Sequence, residues 1–269
     1  MHYKMYFGFR NMTIKYGDKT ILKNVSLEFP KGKTSTIIGA NGSGKTSLLK
    51  TVSRAVRPSE GEAVFNGRPL KHYKPKELAK KIAYLPQVHY SPADISLKTL
   101  VSYGRYPYRK FGKNLTSEDM LIIENSMAVT DLKGLENRTL TTLSGGERQR
   151  AWIAMTICQQ PEVLLLDEPI TYLDIKFQLE VMELIKSLGE SLNITIVMVL
   201  HDINFASRYS HYLFTIKDGA VHSQGNVKEI LNARMLEEVF TIHSQMHHDE
   251  KNNCSFFIPE KYSPEKKQS

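Results

Sequence analysis

The chain has 269 residues, 41% of them hydrophobic, and carries 36 Lys and Arg against 28 Asp and Glu, a formal net charge of +8. That length allows a substantial core in one large or two small domains, while the longest apolar runs, such as Val163 to Leu166 and Ile196 to Leu200, fall far short of the roughly 18 residues that cross a bilayer. Its two cysteines, Cys158 and Cys254, lack the paired spacing of a disulfide framework or zinc site and are expected as a buried small hydrophobe and a surface thiol.

Met1 to Arg10 mixes aromatic, basic and polar side chains without the apolar block and cleavage site of a secretory signal, so a cytoplasmic location is expected. From residue 7 to 29, turn signals at Gly17-Asp18 and Pro30-Lys31-Gly32 predict short strands in antiparallel hairpins. Thr34 to Ile38 then reads as a strand, Gly39 to Thr46 as a glycine-rich loop, and Ser47 to Val56 as a helix stopped by Pro58. Next come Arg68, Lys71, Lys74, Lys76, Lys80 and Lys81, opposed locally only by Glu77. The segment lacks the regular aromatic interleaving of a single-strand stacking platform, so a solvated or membrane-proximal face is expected.

From about Ser91 to Gln160 the pattern turns helical, around Ser117 to Val129 and Glu147 to Gln160, which predicts an inserted helical subdomain. Val163 to Leu166 and Ile194 to Leu200 are continuous apolar runs, as in strands buried on both faces of a parallel sheet. Between them Ile175, Leu179, Met182, Ile185 and Leu188 recur at helical spacing and are expected to pack one face on that sheet. The fold class is therefore α/β with crossover helices. Pro259 to Ser269 is polar, charged and proline-containing, and is expected as a flexible tail.

Gly39-Ala40-Asn41-Gly42-Ser43-Gly44-Lys45-Thr46 fits the phosphate-binding P-loop pattern, with the strand before it and the helix after it that the pattern requires. Its backbone N–H groups and helix N-terminus suit phosphates, Lys45 can reach the outer ones, Thr46 can ligate Mg²⁺, and Ser47 follows at the start of the helix. Leu164-Leu165-Leu166-Asp167-Glu168 places two carboxylates at a strand end: Asp167 for the Mg²⁺ shell and Glu168 as general base for an attacking water.

Leu143-Ser144-Gly145-Gly146-Glu147-Arg148-Gln149 opens a helix with Ser144 and Glu147 at capping-box spacing. Two glycines at the first helical positions cost stability without helping the cap, and are useful where backbone must approach a ligand. This stretch resembles the signature motif of ABC ATPases. The resemblance implies a P-loop NTPase core with a mostly parallel sheet, an N-terminal antiparallel β subdomain and an inserted helical subdomain at about 91–160. Residues 1–258 would form the ATP-binding domain and 259–269 the tail.

The resemblance further implies that Ser144, Gly145 and Gly146 act in trans, on ATP held by a second copy in a head-to-tail homodimer. Tyr16 matches the aromatic that stacks on adenine, and Gln87 the glutamine that senses magnesium and the water. Asp174 in Thr171-Tyr172-Leu173-Asp174 matches the aspartate of the dimer contact, where the family more often has serine at the position of Thr171. His201 matches the switch histidine at the γ-phosphate. Leu100-Val101-Ser102-Tyr103-Gly104-Arg105-Tyr106-Pro107-Tyr108 resembles the Gly-Arg-x-Pro segment of subunits serving iron–siderophore, haem and vitamin B12 importers.

An importer subunit on the cytoplasmic face of the membrane is thus expected, with ATP and Mg²⁺ as cofactors, membrane permease subunits as direct partners and an extracytoplasmic binding protein as an indirect one. Ferric siderophores are the expected cargo, with haem and cobalamin as alternatives. A soluble nucleic-acid-associated ABC ATPase, supported only by the basic balance, usually carries two motif sets or a long coiled-coil insertion; neither is present, and no nucleic acid partner is expected. A two-component exporter stays open.

Overall fold

The computed structural model of the chain describes residues 4–88, 94–110 and 114–262. It divides into two compact units, one formed by the chain up to Lys71 and from Val197 onward, the other by His72–Ile196.

In the first unit, β1 (Phe7–Tyr16) and β2 (Lys19–Phe29) form a long antiparallel hairpin, in register from Phe7 opposite Phe29 to Tyr16 opposite Lys19. They are longer than the short strands the turn signals suggest, because bulges near Asn11 and Asn24 bend the ribbon without ending it. After β3 (Thr34–Gly39) and α1 (Lys45–Val52), β4 (Glu60–Phe65) joins the free edge of β1 and β5 (Arg68–Pro69) extends it, in the order β2-β1-β4-β5. Phe7, Phe9 and Phe29 are fully buried, with the Phe7 and Phe29 ring centroids 5.6 Å apart. Each such side chain contributes about 1.5–3 kcal/mol through the apolar surface it removes from water.

The second unit starts with α2 (Pro75–Ala79) and β6 (Ile82–Leu85). α3 (Leu97–Ser102) runs into a 3₁₀ helix, Tyr103–Tyr108, and is followed by α4 (Ser117–Val129) and α5 (Gly145–Cys158). Leu97, Leu100, Val101, Ile123, Met127, Ala151 and Ala154 make the core between these helices, within the region expected to be helical; its first residues, 91–93, lie outside the described ones. β7 (Val163–Asp167), wholly buried, runs parallel to β6 from Val163 opposite Ile82 to Leu166 opposite Leu85. α6 (Ile175–Leu192) buries Val181, Met182, Ile185 and Leu188. The apolar face expected for this helix is corrected at its start: Ile175 is 65% and Leu179 39% exposed, so the N-terminal turns of α6 stand off the core.

β8 (Thr195–Val199) carries the chain back into the first unit, where the backbone N–H of Leu200 donates to the Ile37 carbonyl. α7 (Ile203–Tyr209) leads into β9 (Tyr212–Lys217), parallel to β3, and β10 (Ala220–Asn226), antiparallel to β9. Short helices α8 (Val227–Ile230) and α9 (Ala233–Phe240) precede a hairpin of β11 (Ile242–Asp249) and β12 (Cys254–Tyr262). Asn204 on α7 clamps this hairpin by exchanging hydrogen bonds with the Phe257 backbone, and Ser207 donates to the Ser255 carbonyl. Two expectations are corrected here. Cys254 is buried at 9% rather than a surface thiol, because it starts a strand held against α7. The tail does not begin at Pro259, since Pro259 to Tyr262 complete β12 in pairing with β11; residues 263–269 lie outside the described ones. Parallel β3/β9 and β6/β7 pairs, the antiparallel N-terminal sheet and the helices give the α/β class read from the sequence.

Candidate functional site

β3 is buried along its whole length and delivers the chain into the glycine-rich loop. Gly39 has φ +156°, and a Cβ there would collide with the Ile216 carbonyl oxygen of β9, so only glycine fits where strand becomes loop. Asn41 and Gly42 are exposed and Ser43 is buried. Gly44, with φ +96°, starts α1 with no side-chain cap, and the first turn holds no acidic residue. The positive end of the helix dipole therefore faces the loop without an internal carboxylate, a setting that fits a phosphate. Lys45 is only 5% exposed, and its Nζ donates to the carbonyls of Gly39 at 2.8 Å and Ala40 at 2.9 Å. Thr46 and Ser47 lie in the same first turn, and Tyr16, at the end of β1 and 51% exposed, shares a hydrogen bond with Ser47 Oγ at 3.2 Å.

At the end of β7 the Asp167 carboxylate is 1% exposed and accepts from the Tyr84 hydroxyl, 3.1 Å away on β6. Burial first, then the charge of Asp167, push the Tyr84 phenol far up, which keeps it a donor. Glu168 has φ +54°, a left-handed conformation that costs a non-glycine residue roughly 1–2 kcal/mol and that persists where surrounding contacts enforce it. Those contacts are present: Gln87 Nε2 donates to Glu168 Oε2 at 2.6 Å, and Thr171 Oγ1 donates to the same oxygen at 3.0 Å. The hard carboxylate oxygens of Asp167 are of the kind that suits Mg²⁺. Sequence reasoning gives Tyr84 and Thr171 no part here, although Thr171 lies inside a motif it quotes.

Ser144 caps α5: its Oγ accepts from the Glu147 N–H at 3.2 Å while the Glu147 carboxylate accepts from the Ser144 N–H at 2.7 Å. That backbone hydrogen bond, with the Ser144 side chain, holds the Glu147 carboxyl below its ordinary range. Ser144 and Gly145 are exposed and Gly146 is buried against Phe177. A Cβ on Gly145 would meet only Leu173 at an ordinary 3.6 Å. Among the described residues nothing demands glycine there. Asp174 begins α6, yet its side chain makes no cap. His201 lies two residues past the end of β8 and is exposed.

The Gly-Arg-x-Pro segment turns inward. Arg105 is 4% exposed; its Nε donates to Asp119 Oδ1 at 2.8 Å, and Nη1 donates to the Cys158 carbonyl at 2.9 Å and Gln160 Oε1 at 3.0 Å. Burial pushes the Asp119 carboxyl up, but hydrogen bonds from Thr116 and Arg105 outweigh it and hold the group below its ordinary range. This part of the motif is an internal clasp of the helical layer.

A sequence profile described as ABC transporter matches residues 22–171. The iron(3+)-hydroxamate import ATP-binding protein FhuC of Bacillus subtilis is 41% identical over 240 residues, 89% of each chain. The ferric enterobactin transport ATP-binding protein FepC of Escherichia coli is 37% identical over 248 residues, 92% of each chain. A solved chain described as a metal-chelate type ABC transporter in an inward-facing conformation superposes with a TM-score of 0.82 at 25% identity, over 95% of this chain and 98% of that one. With a phosphate loop, a carboxylate pair and a capped glycine helix start already in place, these matches make the chain a member of the ABC transporter family.

Proposed function

We propose that the chain is the ATP-hydrolysing subunit of an importer of ferric siderophores, working as a homodimer at the cytoplasmic face of the membrane beside separate permease subunits and, through them, an extracytoplasmic binding protein. The observation that carries the enzymatic part is the Glu168 carboxylate, fixed through Oε2 by Gln87 and Thr171 on a strained backbone. The cargo follows the relatives, whose names specify iron(3+)-hydroxamate and ferric enterobactin. Among the described residues no helix is long and apolar enough to cross a membrane.

Tyr16 stacks on the adenine, and the N–H groups of residues 39 to 47 hold the phosphates. Lys45 exchanges its two carbonyl acceptors for outer phosphate oxygens, a stronger charge-assisted partner. Thr46, Gln87 and Asp167 would hold Mg²⁺, which when bound neutralises charge building on the phosphates. Glu168, oriented by Gln87 and Thr171, takes the proton as water oxygen bonds to the γ-phosphorus and the bond to the bridging oxygen breaks. Ser144, Gly145 and Gly146 of a second copy close over the γ-phosphate, and His201 contacts it. The test is phosphate release from vesicles carrying the permease and this chain: release that rises with loaded binding protein supports the reading, and release indifferent to ferric siderophore rejects the cargo.

A further inference from the structure

The basic stretch before β6 holds a single tyrosine, Tyr73, but the fold adds more from the 3₁₀ helix at Tyr103–Tyr108. Lys76 Nζ lies 5.7 Å from the Tyr106 ring centroid and donates to the Arg109 carbonyl at 3.1 Å. Lys80 Nζ lies 4.6 Å over the Tyr108 ring, which also carries the Arg105 guanidinium at 3.8 Å. Tyr103 is 50% and Tyr106 66% exposed, and Lys74, Lys76, Arg109 and Lys110 are all exposed. The two acidic neighbours are engaged, Glu77 accepting from the Lys74 backbone N–H and Glu162 paired with Lys81 at 2.7 Å. The result is a positively charged face with tyrosines set among lysines. It is held rigid from beneath by the buried Arg105–Asp119 pair, and the hydrolytic residues do not use it.

We propose that this face binds the anionic phosphate headgroups of a membrane surface. Tyrosine is the side chain whose apolar ring and polar tip suit the headgroup layer, and each lysine near an anionic surface adds a comparable increment of attraction. Single-stranded nucleic acid is the poorer fit, because it needs a series of open ring faces for bases, and Lys80 and Arg105 already lie over the Tyr108 ring while Lys76 stands over that of Tyr106. The attraction would hold the subunit at the bilayer independently of the permease. It rests on the proposed function only in placing the chain beside a membrane.

The experiment is flotation of the purified full-length chain with vesicles of phosphatidylcholine, with or without phosphatidylglycerol. Binding is expected only with the anionic lipid, falling as salt rises. It should weaken at least roughly tenfold in Lys74→Glu/Lys76→Glu/Lys110→Glu, weaken less in Tyr103→Ser/Tyr106→Ser, and survive in the Lys→Arg equivalent, with nucleotide binding unchanged in every variant as the check on folding. No flotation of the native chain, equal flotation of the charge-reversed one, or binding of a single-stranded RNA oligonucleotide through these residues in place of vesicles overturns the proposal. Vesicle binding needs no hydrolysis, so a failed uptake assay would leave this result standing on its own.

Discussion

Gln87 Nε2 and the Glu168 carboxylate meet at 2.6 Å, on the oxygen that also accepts from Thr171. Two donors on Oε2 orient the group. Gln87 belongs to the segment after β6 and Glu168 to the end of β7, so any displacement of that segment repositions the base directly.

Glu168→Gln keeps the shape and removes the basic oxygen. Steady-state phosphate release should fall by roughly 100-fold or more, while binding of a fluorescent ATP analogue changes little, and a closed dimer should accumulate in size-exclusion chromatography with ATP. Unimpaired release by this variant would remove Glu168 from the role of base.

Lys45→Ala deletes a cation that the loop holds through the Gly39 and Ala40 carbonyls. ATP affinity is expected to fall at least about tenfold, the scale of one charge-assisted hydrogen bond. Titration calorimetry with ATP and with adenosine separates the effect, because adenosine affinity should be unaffected.

Tyr84→Phe removes the hydroxyl that donates to Asp167 Oδ2. The carboxylate loses its orientation while its charge stays, so the Mg²⁺ concentration giving half-maximal hydrolysis should rise several-fold with kcat at saturating Mg²⁺ little changed. Binding of ATP in the presence of EDTA should match the native chain.

Arg105→Ala leaves Asp119 buried without its charge partner, and breaking such a pair costs about 3–5 kcal/mol, to be read by urea denaturation. The Asp119 carboxyl titrates below its unfolded value of about 3.9. The stabilisation it brings is therefore complete above that value and fades as pH falls through the lower folded one. Asp119→Asn should flatten this acid limb of the stability curve, and an unchanged limb would show that the clasp does not control it.

Legibility in the sequence followed distance along the chain. The phosphate loop and the Asp167-Glu168 pair are consecutive residues beside apolar strands, and α4 carries its own start signal in Thr116 and Asp119. The bonds from Tyr84 to Asp167 and from Gln87 to Glu168 span 83 and 81 residues, and only the pairing of β6 with β7 brings them together. The β11–β12 ribbon escaped notice because it mixes half-buried and exposed residues along its length, which blurs the two-residue period. Ile175 and Leu179 have the helical spacing of a core face, but spacing cannot tell where a helix overhangs its support.

The most direct measurement is uptake of radiolabelled ferric siderophore by cells lacking this protein, complemented with the native chain or with Glu168→Gln. The expected result is uptake restored by the native chain alone. Uptake that persists without the protein, or that returns with Glu168→Gln, would contradict the assignment of this chain as the hydrolytic subunit of a ferric siderophore importer.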